Sequence, residues 1–313
     1  MHTNAVVLKE PGHVEVNRLV LTDPAADEVV VDIGWSGVST GTERLLWSGK
    51  MPPFPGMGYP LVPGYESVGR VVDAGSANDI RVDQMVFVPG AKCFGEVRGL
   101  FGASASRLVV PARRVVPIDA QLADRGILIA LAATAYHAIA APNAVAPECI
   151  VGHGVLGRLL ARIAVAMGYP PPTVWEKNPA RAEGAHGYQV LDPAADTRRD
   201  YRSIYDVSGD ADLLDTLVGR IASGGEIVLA GFYSERLSFS FPQAFMREAR
   251  LRVAAEWQQP DLAGTRALID SGKLSLDGLI THRYAADDAP EAYRTAFEDP
   301  GCLKMVLNWS SSS

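Results

Sequence analysis

The chain has 313 residues, 48% hydrophobic and 21% charged, with 29 Lys and Arg against 36 Asp and Glu for a net charge of −7. That length suggests two domains and can bury roughly 75% of its unfolded surface without disulfide or metal staples. The composition is that of a globular protein, neither disordered nor fibrous. No Lys/Arg run exceeds a pair, so nucleic-acid binding through phosphates is excluded as a main function, and the acidity reads as a solvated surface.

Cys93, Cys149 and Cys302 are odd in number and far apart, and no CxxC occurs. This spacing argues for a reducing compartment and against a disulfide framework or a zinc knuckle. The opening "MHTNAVVLKEPGH" turns polar too early for a signal peptide. The apolar run 127–141 contains Thr134, Tyr136 and His137 and falls short of the ~20 residues of a membrane span. A cytoplasmic protein with no membrane span is the expectation, and the "SSSS" tail is expected to be disordered.

The first third reads as β. "AVVLKEPGHVEVNRLVL" predicts two strands around a Pro-Gly turn, and "EVVVDIGWSGVS", "DQMVFVPG" and "SRLVVPARRVVPI" predict further short strands. The even spacing of turn signals suggests a small barrel or sandwich. From 120 on the texture changes. "QLADRGILIALAATAYHAIAA" has helical apolar spacing and ends at Pro142. Strands at "ECIVGHG", "TVW", "QVLD", "RSIYDVSG" and "EIVLAGFY" then alternate with helices predicted over "VLGRLLARIAVAMG", "PARAEGAHG" and "ADLLDTLVGRIASGG". Such alternation means an α/β, doubly wound parallel sheet. A helix over 289–298 and a strand over 303–309 close the chain, the strand returning to the first domain. The expected domains are 1–120 with 282–313, and 121–281.

One motif carries most information. "CIVGHGVLGRLL" holds Gly152-x-Gly154-x-x-Gly157 between an apolar strand and an amphipathic helix, the context of a dinucleotide-binding loop. Gly152 makes the turn, Gly154 admits the pyrophosphate and Gly157 lets helix and strand pack closely. The amides of His153, Val155 and Leu156 complete the loop and helix start that receive the phosphates. Glu176 lies 19 positions past Gly157, close to the ~20 expected for the acid that holds an adenosine ribose. The acid argues for NAD, while Lys177, Asn178 and Arg181 leave room for a 2′-phosphate. Ser208, Gly231, Phe232 and Tyr233 end the next two strands, where ligands collect. Thr134 is a further cofactor candidate. His153 is either a solvent-facing loop residue or a phosphate or substrate contact.

"SGVSTGTE", "PLVPGYESVGRVVDAG", "TAYHAI", "GHGVLG" and "CLKMVLNW" together resemble the medium-chain dehydrogenase/reductase superfamily over nearly the whole chain. Within it, "GWSGVSTGTERLLWSGKMPPFPGMGYPLVPGYESVGRV" is most similar to the bacteriochlorophyllide a dehydrogenases. The resemblance implies a GroES-like β-rich catalytic domain plus a Rossmann domain. It also implies NAD-dependent oxidation of the 3-(1-hydroxyethyl) group of a bacteriochlorophyllide to 3-acetyl in bacteriochlorophyll biosynthesis. Zinc-dependent members carry GHE where this chain has Gly64-Tyr65-Glu66, and a cysteine where it offers Ser39 or Thr40. Their third ligand falls near Ala130, and their four-cysteine lobe is reduced to Cys93. No catalytic zinc is therefore expected.

Without metal, positioned hydrogen bonds must polarise the substrate oxygen and a relay must take its proton. The candidates are Thr40, Thr42, Tyr65 and Glu66, joined by His137, histidine being the residue type suited to a proton shuttle. Tyr65 either bonds the substrate oxygen or fills the volume of the absent metal. Glu66 tunes the tyrosine, accepts a proton, or braces an internal arginine. Trp47, Phe54 and Met57, with Met51 and Tyr59, lie in a Gly/Pro-broken loop suited to line a slot for a flat tetrapyrrole. Arg44 or Arg98 could meet its carboxylate. A zinc-free quinone or enoyl reductase using NADPH is the alternative within the same fold, and a non-catalytic nucleotide-binding protein is a second. The assembly is open, with a homodimer among the expectations.

Overall fold

The computed structural model describes residues 1–77 and 79–310; the expected disordered serines 311–313 lie outside them. The chain forms two compact units, Met1–Ala130 with Asp277–Ser313, and Leu131–Leu276. Residues 121–130 go with the first unit because Ile127 packs over Gly37 and Gly126 fits under Val68.

In the first unit, the strands His2–Glu10 and His13–Val20 form a hairpin around Pro11-Gly12, joined in a four-stranded sheet by Leu61–Val62 and Arg98–Gly99. The strand Glu28–Val38 is the spine of the second sheet. Its valines are buried on both faces, as suits a strand paired along both edges. It runs antiparallel to Ser67–Asp73, Arg107–Pro111 and the C-terminal strand Met305–Asn308. The last pairing sets Met305 opposite Val38, so Lys304 lies beside the end of the spine.

The second unit holds six parallel strands in the spatial order Gln189–Leu191, Thr173–Trp175, Cys149–Val151, Tyr201–Asp206, Ile221–Leu229, Arg250–Val253. This is the doubly wound order 3-2-1-4-5-6, in which the chain reverses direction across the sheet at the strand bearing the glycine loop.

Three expected helices differ. The stretch 121–141 is a short 3₁₀ segment, broken at Ala123 with φ of 47°, followed by the α-helix Ile129–Ala140. By length and composition Ala120–Ala140 is apolar enough to cross a membrane, but 56% of its most apolar 18-residue stretch is buried inside the fold, as a core helix would be. "PARAEGAHG" forms only one 3₁₀ turn, Pro179–Arg181, because Gly184 and Gly187 take positive φ and a buried arginine captures the carbonyls a helix would use. "ADLLDTLVGRIASGG" is a 3₁₀ turn, Ala211–Leu213, and then α-helical only over Leu214–Val218; Gly219 ends it and Ile221 pairs with Tyr201 in the sheet.

Candidate active site

In the second unit the glycine loop has the geometry its spacing implies. Gly152 has φ of 103°, open only to glycine without strain, and its N–H donates to Trp175 O. A Cβ on Gly157 would stand 1.9 Å from Gly152 O, so the helix Val155–Ala166 can pack on its strand only with glycine there. A Cβ on Gly154, the residue before that helix, would meet open space, as a ligand-facing position requires. Val155 is buried and Leu156 half-buried in the first turn.

Glu176 reaches back to this loop. Its Oε2 accepts from the His153 amide at 3.0 Å and its Oε1 from the Asn178 amide at 2.8 Å. Lys177 is exposed. His153 is neither solvent-facing nor aimed at a ligand, which corrects both expectations. Its ring is fully buried, with Nδ1 2.6 Å from Arg181 O and Nε2 2.8 Å from the Tyr188 hydroxyl. Burial drives its pKa down to about 4, so the ring is neutral. Nδ1–H then donates to the carbonyl, and Nε2 accepts from Tyr188.

At the next strand ends, Ser208 is exposed and Gly231 half-buried. The Phe232 ring stands out, and the Tyr233 hydroxyl donates to Asp206 Oδ2 at 2.8 Å. Asp206 also accepts from the Ser208 amide at 2.9 Å, so one buried carboxylate shapes both strand ends. Burial raises its pKa. Thr134 is half-buried on the helix Ile129–Ala140.

The first unit holds the other cluster. Tyr65 Oη donates to Ser39 Oγ at 2.9 Å, and Ser39 Oγ also accepts the Thr42 amide at 3.2 Å. Ser39, rather than Thr40, is therefore the residue facing Tyr65; Thr40 makes no side-chain hydrogen bond among the described residues. Burial, then the Glu66 charge, holds the Tyr65 phenol well above its ordinary pKa. It stays protonated and acts as a hydrogen-bonding hydroxyl, never as a phenolate base. Phe101 meets the Tyr65 ring edge-on, with centroids 5.6 Å apart.

Glu66 is buried and pairs with the buried ammonium of Lys304, not with an arginine. Its Oε1 has no hydrogen-bond partner among the described residues. A Cβ on Gly37 would lie 2.5 Å from Glu66 Oε2 and 2.9 Å from Lys304 Cε, so this glycine makes room for the pair. Glu43, also buried, accepts the Ser39 amide at 3.0 Å and the Tyr293 hydroxyl, fixing the turn that carries Ser39.

Other expected site residues fall elsewhere. His137, expected beside Tyr65 and Glu66, instead bonds Asp261 Oδ2 at 2.9 Å, the carboxylate that caps the helix Gln259–Asp270. Its role there is to brace two helices of the second unit. The Trp47 ring is packed on Phe297 at 5.5 Å, while Phe54 and Met57 lie half-buried against the core. Arg98 folds onto this loop, with Nη1 3.4 Å from Tyr59 O, whereas Arg44 is exposed. No group of three or more His, Cys, Asp or Glu comes together among the described residues. The remaining cysteine of the lobe region, Cys93, is buried, and burial pushes its thiol up to about 11.

Residues 25–120 match the alcohol dehydrogenase GroES-like domain. Along its full length the chain is 58% identical to 2-desacetyl-2-hydroxyethyl bacteriochlorophyllide A dehydrogenase of Rhodobacter capsulatus, covering 100% of both. The protein of that name from Cereibacter sphaeroides is also 58% identical, with 100% of both covered. The chain belongs to the bacteriochlorophyllide A dehydrogenase family, within the medium-chain dehydrogenases/reductases. It is an alcohol oxidoreductase. The fold also matches Escherichia coli L-idonate 5-dehydrogenase, with TM-score 0.86 at 18% identity over 99% of each chain. Acetophenone reductase of Geotrichum candidum, solved with NAD, matches with TM-score 0.83 at 18% identity over 98% of this chain and 97% of its own. A Sinorhizobium meliloti dehydrogenase solved with NADP matches with TM-score 0.81 at 20% identity over 98% of this chain and 99% of its own. A nicotinamide cofactor is common ground.

Glu43 sets a pH dependence. Burial pushes its carboxyl from 4.5 up to about 7, against the hydrogen bonds from Tyr293 and the Ser39 amide, which favour the anion. A carboxyl with a raised folded-state pKa binds more protons folded than unfolded, so its contribution to stability falls as pH rises through that window. The fall amounts to about 3 kcal/mol at 1.36 kcal/mol per unit. Glu43→Gln is expected to flatten stability between about pH 5 and 7 in urea melts; an unchanged slope means Glu43 does not titrate there.

Proposed function

We propose that the enzyme oxidises the 3-(1-hydroxyethyl) group of a bacteriochlorophyllide to 3-acetyl with NAD and without a catalytic metal, as a soluble, cytoplasmic protein. The observation that carries the metal-free reading is the Tyr65–Ser39 hydroxyl pair, steadied by the Thr42 amide on Ser39, beside a Glu66 carboxylate paired with Lys304. A phenol, a hydroxyl and Ala130 are poor zinc ligands, and the adjacent carboxylate is engaged. The 58% identical relatives, named for a hydroxyethyl bacteriochlorophyllide, support the substrate.

NAD accepts the hydride when bound. The chain's own residues handle the proton. The substrate hydroxyl donates to Tyr65 Oη. As the hydride leaves carbon, Tyr65 takes that proton and passes its own to Ser39. Ser39 in turn releases its own proton to solvent at the exposed Gly41 beside it. Lys304 offsets part of the Glu66 charge, which would otherwise weigh fully against negative charge growing beside Tyr65. Phe101, exposed beside Tyr65, would join Phe54 and Met57 along the macrocycle, and Arg98 is placed on that loop to meet a carboxylate. The choice of NAD rests on Glu176, held by two backbone amides with lone pairs left for ribose hydroxyls.

Tyr65→Phe removes the hydroxyl and keeps the ring. Turnover of hydroxyethyl bacteriochlorophyllide, read by its red-shifted absorbance, is expected to fall on the order of 10²-fold or more, with NADH affinity within about twofold. Unchanged turnover reduces Tyr65 to packing.

A homodimer completes the proposal. The strand Arg250–Val253 is the free edge of its sheet, and the neighbouring helix Phe241–Arg247 buries none of its residues. Phe241, Phe245, Met246 and Val253 are each more than 65% exposed, with Leu251, Phe232 and Phe239 alongside. At roughly 200 Å² per large side chain this strip is on the order of 800 Å², the size one partner gives to a stable interface. Two copies pairing edge to edge would bury it and the unpaired strand backbone together. Light scattering should give twice the chain mass, and Phe245→Glu with Val253→Arg should give monomers; a monomeric parent protein rejects the dimer.

A further inference from the structure

The helix that starts at the glycine loop carries a second feature, one the dinucleotide motif does not require. Arg158, the residue after Gly157, is only 4% exposed. Its guanidinium donates to three carbonyls: Nε to His153 O at 3.0 Å, and Nη2 to Arg181 O at 3.0 Å and Glu183 O at 2.7 Å. Arg181 O also accepts from the buried His153 ring, whose other nitrogen is bonded by Tyr188. The segment 177–188 is thus tied to the glycine loop at 181, 183 and 188. Gly184 makes room for the tie. It takes φ of +82°, and a Cβ there would lie 2.3 Å from Arg158 Nη1.

We propose that Arg158 is a positioning residue that sets cofactor choice by clamping the segment 177–188 against the glycine loop. The inference rests on the NAD reading above. Arg158 holds His153 through its carbonyl, and the His153 amide holds Glu176. The clamp therefore fixes both sides of the ribose-reading carboxylate: the glycine loop before it and the Asn178 turn after it. The same segment carries Lys177, Arg181 and His186, and with its carbonyls turned toward Arg158 it is held in one arrangement. Without the guanidinium the carbonyls of 181 and 183 lose their donor and turn toward solvent. The acid then loses its fixed geometry, and the basic side chains of the segment are free to meet a 2′-phosphate.

The test is titration of NADH and NADPH into the purified enzyme, followed by nicotinamide fluorescence, with turnover measured in parallel. Arg158→Met should weaken NADH on the order of tenfold, narrow or invert the NADH/NADPH preference by a similar factor, and leave kcat at saturating cofactor within about twofold. Arg158→Lys should recover part of the preference, because an ammonium reaches fewer of the three carbonyls. Gly184→Ala should shift the preference in the same direction with the charge retained. It is the deciding variant, together with Arg158→Lys, if Arg158→Met does not fold. Folded variants whose NADH/NADPH ratio matches the parent overturn the proposal, as does a kcat loss with both affinities intact. A parent enzyme that prefers NADPH defeats the NAD reading by itself, whereas the clamp is judged by the shift in the ratio on mutation.

Discussion

The buried ion pair of Lys304 and Glu66 is the constraint around which the first unit is arranged. Two opposite charges taken out of water hold only if each keeps the other, and removing one partner typically costs about 3–5 kcal/mol. The pair therefore fixes the C-terminal strand Met305–Asn308 against the Gly64-Tyr65-Glu66 turn, although 238 positions separate its members. Gly37 is imposed by the same pair, since any side chain there would enter the space of the carboxylate. Glu43, locked by Tyr293 and the Ser39 amide, fixes the facing turn. Tyr65 and Ser39 are held between these two anchors, so their hydrogen bond follows from the charges beneath them.

The parts of the molecule governed by local geometry were legible in the sequence. Gly152, Gly154 and Gly157 each have a backbone reason visible in their spacing, and the structure gives each that environment. The absent helix over 179–187 was not legible, because its cause is Arg158, which sits on a different element. His153 was misread for the same reason: its burial depends on Arg181 and Tyr188 folding over it. His137 looked like a shuttle because a helical histidine near neutral pH suits one, yet its partner Asp261 lies 124 positions away. Lys304 did leave a signal. A lone lysine in the apolar run "CLKMVLNW" needs a buried counter-charge, and Glu66 in "GYESVG" is such a carboxylate. Glu43 left a weaker one in its place four residues after Ser39.

Within the family the chain belongs to, the proposed chemistry divides the work by physical type. The glycine loop and Glu176 bind and orient, through backbone amides and one carboxylate. The hydroxyls of Tyr65 and Ser39 move a proton, with the Thr42 amide holding Ser39 in place. Lys304 balances the buried Glu66 charge from within the fold, which lets that carboxylate stand next to the hydroxyls.

That substitution of hydroxyls for a metal is most directly tested by metal dependence. The purified enzyme, treated with a strong chelator and assayed for bound zinc, is mixed with NAD and a hydroxyethyl bacteriochlorophyllide. The expected result is full conversion to the red-shifted acetyl pigment with stoichiometric NADH, at well under one zinc per chain. Activity lost on chelation and restored by zinc at one ion per chain would contradict the account.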